Sequence, residues 1–169
     1  FQDPDGFWDV NILNVLVNEA LDGRQSCYMA YSQPDGLVYL VNDEGTQLLP
    51  GIALNASGSV SNGSCTIHSA GSSATGAGEV LTLRLNLSFN QTAAGGNIVH
   101  IAARDRDGGN TGWRVGGLWR VPRLAPGVIE VTSLSPDVGA GAARTFTGVF
   151  RHTTGAASVT NAQFLINAD

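Results

Sequence analysis

Lysine is missing from this 169-residue chain, and all nine of its basic residues are arginine. That excludes chemistry resting on a lysine amine: Schiff-base catalysis, phosphate capture by a P-loop lysine and internal Lys–Asn crosslinks. Charge is scarce as well, at 14% of residues, and the net charge of −5 argues against a nucleic-acid partner. Long apolar runs are lacking. The longest, such as Val10 to Val17, reach about eight residues and are broken by Asn, against the roughly 20 that a membrane helix needs. No membrane span is expected. No basic, apolar leader opens the sequence, which starts at Phe1, so a processed mature form or an excised fragment is expected. The length suits one compact domain with additional strands rather than two full-sized domains.

The charge that is present is unevenly placed. Residues 1–50 carry eight acids against Arg24 alone, whereas residues 84–151 carry eight arginines against four acids. Complementary ends of this kind favour head-to-tail association, and two solvated faces on one monomer account for them equally well. The two cysteines, Cys27 and Cys65, are 38 positions apart in strand-like segments, with no CxxC or Cys/His cluster. A structural disulfide and an oxidising, extracellular or cell-surface setting are expected; the alternative is a pair of buried free thiols.

Helix signals are nearly absent, and turn residues recur every 8 to 12 positions. Leu81, Leu83, Leu85, Leu87 and Phe89 alternate with Thr82, Arg84, Asn86 and Ser88, the period of two that marks a half-buried strand. Further strands are expected at Val10–Val17, Cys27–Tyr31, Leu37–Asn42, Ser64–His68, Ile98–Arg104, Gly112–Val121, Val128–Leu134, Arg144–Phe150 and Val159–Asn167. Gln33-Pro34-Asp35-Gly36 reads as a hairpin turn, and the Gly/Ser/Ala/Thr-rich stretch Ser69–Gly78 reads as a loop. The pattern predicts an all-β, Greek-key β-sandwich.

Phe1–Ala20 aligns without gaps on Phe150–Asp169. Phe1/Phe150, Gly6/Gly155, Val10/Val159, Leu16/Leu165 and Asn18/Asn167 are identical, five positions in 20. A tandem repeat with a period of 149 residues is therefore expected, with residues 1–127 as the sandwich body and 128–169 as the opening strands of a following repeat. In this reading the first copy lacks its own opening strands, which then come from the same chain or from a neighbour adding a strand to an open sheet edge. Val159–Asn167 is the expected donor, with Val159, Phe164, Leu165 and Ile166 as its assembly residues.

Several stretches resemble the Ig-like β-sandwich repeats found in tandem in large bacterial secreted and surface proteins. They are Cys27-Tyr28-Met29-Ala30-Tyr31, Leu40-Val41-Asn42-Asp43, Ser61-Asn62-Gly63-Ser64-Cys65, Gly112-Trp113, Gly117-Leu118-Trp119 and Ser133-Leu134-Ser135-Pro136. The resemblance implies an extracellular, non-enzymatic spacer, stalk or adhesin-like domain whose cysteines pair between strands. Fold alone does not supply a function.

Candidate chemistry is thin. There is no Gly-x-Ser-x-Gly elbow, and His68, His100 and His152 are far apart in sequence, so no residue is assigned to catalysis. Asp105, Asp107 and Asn110, in Arg104–Asn110, give the oxygen-rich composition that a structural Ca²⁺ would use, although the flanking arginines favour a plain turn held by an Asp/Arg ion pair. No other cofactor is expected. Trp113, Val115, Gly117, Trp119 and Val121 are expected on one core-facing side of one strand. Trp8 is the candidate for stacking on a cell-surface glycan. Four Asn-x-Ser/Thr sequons begin at Asn55, Asn62, Asn86 and Asn90. The function expected is that of a structural subunit or repeat partnered with itself, head to tail, in an extracellular filament, stalk or surface array. A carbohydrate-binding or adhesin domain is the alternative.

Overall fold

The computed structural model describes residues 1–124 and 127–166 and divides into two units, Phe1–Arg123 and Leu124–Asp169. Every sheet in both units is antiparallel.

The first unit is a β-sandwich. β1 (Val10–Asn18), β2 (Cys27–Ser32), β3 (Leu37–Leu40) and β4 (Ile52–Ala53) form a meander, and β5 (Ser59–Ser61), β6 (Cys65–Ala77) and β7 (Val80–Phe89) form the opposite sheet. The chain then returns through β8 (Gly95–Asp105) to the side of β1 and adds β9 (Arg114–Val121), giving a six-stranded sheet ordered β4-β3-β2-β1-β8-β9 against β5-β6-β7. The long return of β8 to the flank of β1 is the Greek-key connection. Alternation sets the core: Leu13 and Val17 of β1, Cys27, Met29 and Tyr31 of β2, and Val38 and Leu40 of β3 meet Cys65, Ile67 and Leu81.

The hairpin turn at Gln33–Gly36 forms as expected; the Gly36 amide donates to the Ser32 carbonyl, and the Ser32 hydroxyl donates to Asp35. The expected loop at Ser69–Gly78 is instead the second half of β6, whose ladder with β7 resumes at Ser73 after a bulge. Ser72 spans the bulge: its hydroxyl donates to the His68 carbonyl and accepts from the Asn86 amide. Further along, Gly76 has no room for a side chain because a Cβ there would overlap the Phe7 ring.

The second unit holds β10 (Ile129–Ser135) and β11 (Thr147–His152), paired as a two-stranded sheet, and a 3-10 turn at Ala156–Ser158. Val159–Ile166, expected as part of a strand, carries no strand, and Asn167 lies outside the described residues. Among the described residues this segment has no ladder partner; the Val159 amide donates to the Ala156 carbonyl, and Phe164 stands edge-on to Phe150 at 6.2 Å between ring centroids.

Candidate functional site

No constellation of catalytic type is assembled among the described residues. His68, on β6, is hydrogen-bonded to the Ser88 hydroxyl, whereas His100 lies buried on β8 of the other sheet. His152 ends β11 and is bonded to Thr154.

Cys27 and Cys65 form a disulfide linking β2 to β6 across the sandwich, and both are fully buried. Beside it Asn62 makes a knot that cysteine spacing gave no reason to expect. Its side-chain amide donates to the carbonyls of Ser26 and Val41, and its oxygen accepts from the amides of Ser64 and Cys65. Asp43 accepts the Gly63 amide alongside. One side chain thus satisfies backbone groups from both sheets at the point where the disulfide crosses.

The loop read as a Ca²⁺ site uses its oxygens internally. Asp105 accepts the Gly109 amide, Asn110 accepts the Gly112 amide, and Asp107 is exposed. The expected Asp/Arg pair is not made within the loop, because Arg106 reaches out to the Gln33 side chain. The carboxylates that do converge are Asp3, Asp9 and Asp105, with ligand atoms within 4.8 Å of one another. Partial burial, followed by repulsion from Asp107, Asp3, Asp105 and Asp5, raises Asp9 above the ordinary carboxylate value. At the other end of the unit, the Arg24 guanidinium 2.6 Å from Asp22 lowers that carboxyl to about 2.

The tryptophans are not the core pair expected. Trp113 packs edge-on against Tyr28, on the outer side of the six-stranded sheet, while Trp119 faces Phe89, on the inner side. A register shift between Val99 and His100 on β8, opposite Gly117 and Val115, breaks the alternation that would have put them together. Trp8 is exposed, its ring standing over Gly6 and edge-on to Phe7. Of the sequons, Asn62, Asn86 and Asn90 commit their amide nitrogens to backbone carbonyls, and Asn55 lies exposed in a turn with φ of 54°.

What the first unit leaves open is one side of the sandwich. The disulfide sets β6 against β2 and β5 packs on β3, so the sheet order brings β7 over β1. Beyond Phe89, which stands against Trp119 of β9 at 6.5 Å between ring centroids, no further strand of this unit extends the β5-β6-β7 sheet over β8 and β9 among the described residues. Exposure follows: Leu81 is buried, Leu83, Leu85, Leu87 and Phe89 are only half-buried, and Trp119 is 54% exposed. The outer edge of β7 is paired at its start only, where the Leu81 amide donates to the Phe1 carbonyl, the Phe1 amine donates back and Gln2 bridges Val80. In the second unit, β10–β11 has one apolar face of Ile129, Val131, Leu134 and Phe150, with Ile129, Val131 and Leu134 exposed. The expected assembly residues Leu165 and Ile166 are also strongly exposed, and Val159 follows the 3-10 turn.

Set against family models, curated proteins and solved structures, the chain matches none. The functional reading therefore rests on this geometry.

Proposed function

We propose that the protein is a non-enzymatic structural repeat or subunit of an extracellular stalk, filament or surface array, built head to tail by β-strand complementation. The observation that carries this is the presence of two incomplete parts: a sandwich whose outer edge at β7 is paired only at its start among the described residues, and a two-stranded hairpin whose apolar face is largely exposed. Isolated two-stranded hairpins are marginal in water, and open edges invite strand addition. The disulfide fits an oxidising setting, and no helix among the described residues is long and apolar enough to cross a membrane.

The test is the shape of chains holding one, two and three copies joined Val149 to Phe1, followed by small-angle scattering and negative-stain microscopy. A stalk predicts particles whose length grows by an equal step with each copy. Compact particles that thicken in all directions would overturn it. The adhesin reading draws on the exposed Trp8 ring; glycan binding that disappears in Trp8→Ala would favour it over a purely structural role.

A further inference from the structure

The two ends of the repeat adopt the same backbone geometry. Gly6 and Gly155 have φ of 110° and 109°. The Gly6 amide donates to the Asp3 carbonyl and the Asp9 amide to the Gly6 carbonyl; 149 residues later, Gly155 donates to His152 and Ser158 to Gly155. Phe1, next to the isolated Gln2–Val80 bridge, and Phe150, within β11, therefore lead into the same turn, and their hydrogen-bonding edges can be compared directly.

Phe1 exchanges both backbone hydrogen bonds with Leu81 of β7. Phe150 occupies the equivalent place in β11, whose other side is taken by β10. The Thr153 amide donates to Val128, so by strand alternation Arg151 and Val149 also address β10, and Phe150 and Gly148 aim their amides and carbonyls at the free edge of β11. On β7, the same alternation from Leu81 aims the amides of Leu83, Leu85 and Leu87 at its free edge, while the Asn86 amide points back to Ser72 on β6. The two free edges thus match in direction and phase.

Resting on the head-to-tail reading above, we propose that β10–β11 is the opening hairpin of the sandwich that follows it, and that β7 receives the same hairpin from a copy joined directly ahead of Phe1. Continuing the Gln2–Val80 register, Val149 of that copy falls opposite Thr82, Gly148 opposite Leu83 and Phe146 opposite Leu85. The three-stranded sheet becomes a five-stranded one, ordered β5-β6-β7-β11-β10, and the apolar face formed by Ile129, Val131 and Leu134 lies over β8 and β9. A hairpin from a separate chain keeping this register would have to expel Phe1 from Leu81; one joined ahead of Phe1 continues into it.

The experiment compares the full chain with a full chain carrying an added copy of residues 128–149 fused to Phe1, by residue-resolved amide exchange. Retained protection in β1 and β2 shows that the sandwich is folded. The expected result is slowing of at least about 100-fold at Leu83, Leu85 and Leu87 in the extended chain only, reversed by Gly148→Pro in the added copy, which removes the donor opposite Leu83. Unchanged exchange at those three amides overturns the proposal, as does a monomeric unextended chain that already protects them. Because rod growth is a separate readout, unprotected amides in chains that still lengthen stepwise remove the hairpin assignment alone. Protected amides in compact particles remove the stalk alone.

Discussion

Asn62 shows how much one polar side chain can carry where two sheets meet. It completes four backbone groups next to a disulfide whose cysteines are fully buried, and a buried donor or acceptor left unpaired costs about 1–3 kcal/mol. Asn62→Ala orphans several at once, so a loss of about 2–4 kcal/mol in unfolding free energy is expected. Urea denaturation with the disulfide intact measures it. Asn62→Asp keeps the acceptor for Ser64 and Cys65 but loses the donor, and should fall between the two. Sequence flagged this residue as a sequon and within the Ser61–Cys65 stretch of the resemblance, but not for this role, because side-chain capping of distant carbonyls has no local periodicity. Cysteine pairing was more legible: two cysteines in strand-like segments without metal-ligand spacing leave few alternatives.

Elements were legible in proportion to how strictly they alternate. β7 was readable because one face is leucine and the other polar, and a slip of one residue would reverse them. The second half of β6 was not, because a run of Gly, Ser and Ala with the single strand-former Thr75 carries no alternation and little strand preference; its ladder to β7 and the Ser72 bridge impose the extended conformation. Gly76 gives this tertiary override a test. On intrinsic preference, Gly76→Val should strengthen a strand, but a Cβ there meets the Phe7 ring. The expected outcome is destabilisation by about 1–3 kcal/mol, the overpacking range, and pairing it with Phe7→Ala should recover part of the loss in a double-mutant cycle. The tryptophans failed for the opposite reason: the pattern was regular, and a bulge in the β8–β9 ladder, invisible in composition, turned the two rings to opposite sides.

At the scale of the whole molecule, two units that differ in how much apolar surface they bury share one chain. The first has a core fastened across its sheets by the Cys27–Cys65 bond; the second is a hairpin whose apolar face is largely in solvent. Closing a 38-residue separation stabilises by about 4 kcal/mol in the chain-entropy model, and that constraint acts within the first unit. Cys27→Ala combined with Cys65→Ala should therefore lower the first unit's unfolding free energy by about 4 kcal/mol while leaving amide exchange in β10 and β11 unchanged. If the hairpin loosened along with the sandwich, the two units would be one cooperative block, and each repeat would unfold as a whole. If the units respond separately, the disulfide acts on the first unit alone, and the proposed array would draw any cooperativity between copies from the junction assigned above to the hairpin.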